Sequence, residues 1–221
     1  MPEHAEYTHH GALGPTAALR LVTYGRQVTF TRQAVLADDM LTFGQLQQAL
    51  GVAAAACESD AVYDLLVSNP TMPDGQPLFS VGHGNVMAAA DLTAATLATA
   101  SAALAGQTTA GGRALHLRRR YLVVGTLLAG AARALVTSQT PVNTSPDDEL
   151  VVVEDGRIPN KSWYLVTDQW STIATAHLAT GGPELLAMDG WDIDGRRYKA
   201  RDEFGCTVMD WRSMVYTPST P

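Results

Sequence analysis

Basic side chains are scarce in this sequence. Fifteen lysines and arginines stand against 22 aspartates and glutamates, for a formal net charge of −7 and a pI near 5.2. A protein that reads nucleic acid at a specific site normally carries a basic face. The only basic runs are Arg118-Arg119-Arg120 and Arg196 to Arg201, the second broken by Tyr198 and Ala200, and both read as solvated strand ends. Cysteine is scarcer still. Cys57 and Cys206 are far apart with no CxxC, which predicts two buried, reduced and unpaired thiols in a reducing compartment. No run of about 18 apolar residues exists, so no helix is expected to span a membrane. The first residues, MPEHAEYTHH, are acidic and histidine-bearing, unlike a signal peptide.

Catalytic signatures are missing too. G-x-S-x-G, H-E-x-x-H and G-x-x-x-x-G-K-[ST] do not occur. "GHGNVM" lacks the third glycine of a dinucleotide loop and follows a loop rather than a strand. Asp192, Asp194 and Gly195 resemble a fragment of a calcium loop, but Gly190 and Arg201 stand where acidic ligands should be, and a hairpin turn fits better. His4, His9 and His10 belong to a polar arm without a completing ligand. His116 and His177 lie in apolar segments and read as packed or hydrogen-bonded residues. His83 is the one arresting histidine, framed by glycines in "NPTMPDGQPLFSVGHGN", residues 69–85. As a general base it would need an orienting carboxylate and a nucleophile. Asp74, Asp91 and Ser80 are near, but no spacing ties them to it. The glycines allow positive φ, and His83 and Asn85 are expected to hydrogen-bond the backbone of a tight loop. No catalytic set, cofactor or metal site is expected.

What is present is globular. Apolar residues make up 46% of 221 residues and charged ones 17%, enough for one large domain or two small ones with a real core. Residues 1–18 read as an extended arm. Leu19 to Thr31 alternates like a strand, with Gly25 as a turn or bulge. Asp38-Asp39 are placed to cap a helix of about 29 residues, roughly 44 Å long, ending at Asn69-Pro70. Its apolar stripe is Leu41, Leu46, Leu50, Ala53, Cys57, Ala61 and Leu65. Asp91 is placed to cap a second helix, Leu92 to Leu104, stopped by Gly106. "ALHLRRRYLVVG" reads as a strand, and Thr126 as the cap of "LLAGAARALVTS". Residues 138–149 read as a polar loop. "LVVV" and "WYLVT" read as strands around Asp155-Gly156, and Glu184 to Tyr216 as strand-rich with turns at Asp189-Gly190 and Asp194-Gly195. The order does not alternate strictly between strand and helix, so the fold class is α+β.

"YGRQVTFTRQAVLADD", a long helix, and then "LLVSNPTMPDGQPLFSVGHGN" resemble the major capsid proteins of tailed bacteriophages, of the Mu-like and protease-fused kind. "RYLVVGTLLAGAARAL", "SWYLVTD" and "DGWDIDGRRYKARDEFGCTVMDWRSMV" extend the resemblance over about residues 19–216. It implies the Hong Kong phage capsid fold. Residues 1–38 would be an arm and partial extended loop, 39–85 and 183–210 a peripheral domain with a spine helix and a hairpin, and 86–182 with 211–221 an axial domain. His83 would then sit at the joint between spine helix and axial domain. The chain is expected to begin inside the extended loop, without its first strand. Some relatives join subunits by a lysine–asparagine bond; Lys161 and Lys199 are the only lysines and residues 1–38 hold none, so no such link is expected. The function implied is a structural head subunit. Pentamers and hexamers would close an icosahedral shell around double-stranded DNA, which is contacted non-specifically. Portal, protease or decoration proteins are possible partners, and no membrane is involved. The location implied is the virion, with assembly in the host bacterial cytoplasm. The alternatives are an encapsulin-like cargo shell and, in a different class, a small intracellular hydrolase using His83 with Asp74 or Asp91. Subunit pairing is expected through residues 1–31 and through loops 106–113 and 138–149.

Overall fold

The computed structural model describes residues 19–31, 41–139, 150–159, 161–178, 183–189 and 195–219, apart from the side chains of 41–44, 46, 47 and 139. The arm, the Asp38-Asp39 cap, Leu41 and Leu46 of the stripe, the turns at 189–190 and 194–195, and nearly all of the 138–149 loop lie outside it. The described elements are β1 (Val22–Thr31), α1 (Leu41–Ser68), α2 (Ala94–Ala105), β2 (Tyr121–Val124), α3 (Ala129–Gln139), β3 (Val151–Glu154), β4 (Trp163–Val166), β5 (Ile173–His177), β6 (Glu184–Asp189), β7 (Gly195–Val208) and β8 (Met214–Thr217). Two sheets and three helices give the α+β class that the element order predicts.

One sheet has the order β3-β2-β4-β8. Its central strands are short uninterrupted apolar runs, YLVV and WYLV, because both faces are covered. Leu122, Val124, Trp163, Leu165 and Val215 are fully buried in one cluster with Leu97, Ala100 and Leu104 of α2 and Ala132 of α3. Val123, Tyr164 and Met214 point the other way, against Leu66 at the end of α1 and Met72, Leu78 and Phe79 beyond it. β3 and β4 do not form a hairpin around Asp155-Gly156. β2 lies between them, antiparallel to β4 and parallel to β3. α3 lies between β2 and β3 in the chain, as a parallel pair requires.

Three local expectations are corrected. α2 is capped by Thr93, not Asp91: the Thr93 hydroxyl accepts the Thr96 amide at 3.2 Å, and Thr96 Oγ1 reciprocates at the Thr93 amide at 2.9 Å. The Asp91 carbonyl accepts Thr96 Oγ1 at this point. Gly125 precedes a 3₁₀ turn, Thr126–Leu128, so Thr126 lies inside that turn rather than capping α3. The strand expected over 114–125 is confined to Tyr121–Val124, since His116 turns the chain at φ 51°.

The second sheet is built on β7. β1 pairs along it from Val22–Phe204 to Thr31–Gly195, while β6 and β5 follow one another along the opposite edge. Gly25 is neither turn nor bulge; it pairs in register with Arg201. Gly205 is the residue that must lack a side chain, because a Cβ there would lie 2.2 Å from the Arg20 carbonyl oxygen. α1, with 28 residues, lies against β7, but Leu66 is its only buried side chain among those described. Of the stripe, Ala53 is exposed, and Leu50, Cys57, Ala61 and Leu65 are half-buried. Cys57 and Cys206 are free, as expected, but only half-buried, because α1 does not seal the sheet. Burial and nearby carboxylates push both thiols up.

Candidate functional site

Residues 69–85 form a loop tied by side-chain hydrogen bonds from Asn69, Asp74, His83 and Asn85. α1 stops at Asn69, which takes a left-handed φ of 50°. Its side chain spans the loop, donating to the Phe79 carbonyl at 3.2 Å and accepting the Phe79 amide at 2.7 Å. Between them Asp74 and Gly75, at φ 83°, make a turn whose Gln76 amide donates to Asp74 Oδ1. Gly84, at φ 64°, supplies the second turn. Asn85 is fully buried. It accepts the Ser80 amide and donates to the carbonyls of Leu78, at 2.8 Å, and Trp211, at 3.3 Å.

His83 joins four segments. Its ring is buried, with Nε2 2.6 Å from Asp74 Oδ2 and Nδ1 3.0 Å from the Leu78 carbonyl. The ring lies flat on Trp211, centroids 4.2 Å apart and planes 3° apart. Its carbonyl accepts Gln107 Nε2 from beyond α2. Both ring nitrogens face groups that only accept, the Asp74 carboxylate and the Leu78 carbonyl. The hydrogen bond from His83 holds the Asp74 carboxyl below the usual range, helped by the Gln76 amide.

Of the partners a hydrolytic reading names, Asp74 reaches His83, while Asp91 stands at the start of α2. Ser80 Oγ accepts the His83 backbone amide rather than meeting the ring. Both ring nitrogens lie against acceptors other than Ser80, so the ring does not meet the Ser80 hydroxyl in this geometry. An open cleft of about 420 Å³ lies alongside, lined by Met72, Pro73, Trp170, Met209 and Trp211 among others. Asp210 and Arg212 there bind one another, Trp170 Nε1 and the Thr108 carbonyl. What the arrangement can do chemically is hold chain segments together.

A second polar junction has no counterpart among the sequence expectations. Arg157, after β3, grips Asp155 with two hydrogen bonds of 2.8 and 2.6 Å. It also reaches α1, at Asp60 Oδ1 (2.5 Å) and Ser59 Oγ (2.8 Å), and lies over the Tyr63 ring. Arg157 holds the Asp155 carboxyl low. Burial is the main cause that pushes the Tyr63 hydroxyl up. His177 is bonded, as its segment suggested: it pairs with Glu58 at 3.2 Å and its ring lies 6.3 Å from that of Phe204, whereas His116 is exposed in a turn. His4, His9, His10, Asp192 and Asp194 lie outside the described residues. Among the described residues no three His, Cys, Asp or Glu side chains converge as a metal site, and no helix is long and apolar enough to cross a membrane.

No curated protein matches the chain. Solved structures do, over nearly its whole length. One from Mycobacterium phage Che8 is 15% identical, with 89% of this chain and 70% of that one covered, at a TM-score of 0.55. The capsid of cyanophage P-SCSP1u is 10% identical, covering 98% and 81%, at 0.59. The capsid of a native GTA particle is 12% identical, covering 99% and 81%, at 0.59. At such identities the likeness shows the fold, which is that of phage capsid subunits. The family model described as phage capsid protein matches residues 15–217, so this chain belongs to the phage capsid protein family.

Proposed function

We propose that the chain is the major head subunit of a tailed phage or prophage, acting by assembly and not by catalysis. Five- and six-fold rings of it close into an icosahedral shell around double-stranded DNA. The observation that carries this reading beyond the family match is how little of α1 and the β7 sheet the chain covers for itself. Leu66 is the one buried side chain described on α1, while Val22, Tyr24, Leu185, Leu186 and Met188 stand exposed on β1 and β6. Surfaces of this kind are completed by neighbours. In this reading residues 39–85 and 183–210 form the peripheral domain and 86–182 with 211–221 the axial domain, with the His83 loop as the joint. The net charge of −7 suits a container that holds DNA without gripping it. Portal, protease and decoration proteins are the other head partners, and assembly takes place in the host cytoplasm.

Electron microscopy and sedimentation of the purified chain test this. Rings or shells, with absorbance showing nucleic acid in material from infected or induced cells, are the expected result. Shells filled with protein would replace the phage head by a cargo compartment. A chain that stays monomeric at micromolar concentration, with turnover lost in His83→Ala, would overturn the reading.

A further inference from the structure

We propose that the cleft between α1 and the β7 sheet receives Lys199 of a second copy of this chain, whose ammonium pairs with Asp202. The reason is a carboxylate without a partner. Asp202 is only 9% exposed, and among the described residues nothing donates to its carboxylate or pairs with it. Aspartates this deep are normally paired, because burying an isolated charge is costly. The side chain lines a cleft of about 260 Å³ together with Tyr24 of β1 and Leu50, Ala53, Ala54 and Cys57 of α1. Its charge reaches Cys57 across that cleft, where burial first, then Asp60 and Asp202, push the thiol up. Arg26 stands on the same face, opposite Ala200, but its side chain is exposed and makes no ion pair with Asp202. The cleft offers one negative charge in an apolar wall, which suits an ammonium on an aliphatic stem.

The same sheet carries the complement on its other face. Side chains alternate along β7, so Asp202 shares the face of Cys206, which meets α1 at Ala61, while Arg197, Lys199 and Arg201 point away. Of the four cations on β7, Arg196 pairs with Asp189, and Arg201 with Glu184 and Glu203. Arg197 and Lys199 have no anionic partner among the described residues. Lys199 is exposed, and Leu186 lies directly across from it on β6, itself 49% exposed. An unpaired ammonium beside an apolar side chain thus matches an unpaired carboxylate beside apolar ones. Because the two lie on opposite faces of one strand, no copy can join its own. The contact is heterologous: each copy gives Lys199 to one neighbour and takes it from another, as in a ring. This pairing rests on the shell reading; the lack of a partner for Asp202 does not.

The test is zero-length carbodiimide crosslinking of particles assembled from an equal mixture of isotopically light and heavy full-length chains. Lys161 and Lys199 are the only lysines, so few products can form. The expected product is an Asp202–Lys199 crosslink in mixed light–heavy form, present in particles and absent from the unassembled chain. Asp202→Asn and Lys199→Gln should each raise the concentration needed for assembly by about tenfold or more, and the double variant no further than either alone. In the unassembled chain Asp202→Asn should leave the melting temperature unchanged or higher, since no partner within the chain is lost. If Asp202→Asn does not fold, crosslinking of the unaltered chain decides. Particles without the mixed crosslink overturn the pairing and leave the shell reading standing. A lower melting temperature for unassembled Asp202→Asn, as a partner such as Arg26 within the chain would give, also overturns it. A chain that forms no particles at micromolar concentration and above overturns both.

Discussion

The two sheets are finished differently. In β3-β2-β4-β8 the buried side chains have partners from the same chain: Leu122, Leu165 and Val215 lie under α2 and α3, and Tyr164 is stacked 4.8 Å from Tyr216 beneath the 72–79 loop. In the β7 sheet, Phe204 is buried and stacked 4.6 Å from Tyr24, but Val22 beside it and Leu185, Leu186 and Met188 on β6 stand exposed. The first region is a core of the ordinary kind. The second is half of one. Composition already separates them, since YLVV and WYLV are uninterrupted apolar runs while β7, GRRYKARDEFGCTV, is charged along much of its length; the packing differs in whether helices cover the face. α1 reaches this sheet through the Ala61 carbonyl, which meets Cys206 on β7, and through Glu58, which pairs with His177 on β5, and a cleft remains beside Cys57.

The sharpest break of this contrast comes from truncation on each side. Trp163→Ala, in the closed core, is expected to cost about 3–5 kcal/mol in urea unfolding of the unassembled chain. Leu186→Ala, on the open sheet, is expected to stay within about 0.5 kcal/mol there. Equal losses would erase the distinction.

Gly205→Ala probes the one tight point of the open sheet. The new Cβ would meet the Arg20 carbonyl oxygen at 2.2 Å, so β1 must shift. About 1–3 kcal/mol is expected, with amide protection lost first over residues 22–25. Unchanged exchange in that stretch would show that the close approach does not hold β1.

His83→Ala at the joint is expected to cost about 1–3 kcal/mol, because Asp74 loses its donor and Trp211 its stacking partner. Trp211 fluorescence should change with it, and no reaction should disappear. Loss of a measured hydrolase activity in a normally folded variant would contradict the joint.

The smallest expected effect is acid dependence. The Asp74 and Asp155 carboxyls are both held below their ordinary range, by His83 and Arg157 first. A depressed carboxyl binds fewer protons folded than unfolded. Its stabilisation is therefore complete above the unfolded value of about 3.9 and is lost as pH falls through the folded one. Melting temperature should drop below about pH 4, less so in Asp74→Asn. An identical drop in that variant would remove Asp74 from the account.

The long helix was legible from its stripe and from the Asn69-Pro70 stop, and the His83 loop from its glycines. Asn85 does bond loop backbone, as its place beside Gly84 suggested. Thr93 was missed as a cap because Asp91 and Thr93 are both capping types two residues apart, and only backbone geometry chooses between them. Gly25 and Gly205 look alike in sequence; what separates them is the path of Arg20, a long-range fact. The Arg157 junction was unreadable for the same reason, since its helix partners lie 97 and 98 positions away. Trp211 likewise meets His83 only through the fold.

Hydrogen exchange on the same chain, unassembled and assembled, tests the central claim most directly. The prediction is that residues 22–31, 45–60, 184–189 and 195–201 gain protection on assembly, while 121–124, 163–166 and 214–217 are protected equally in both. Full protection of the open sheet in the unassembled chain, or a gain confined to the closed core, would contradict the claim that neighbours complete this subunit.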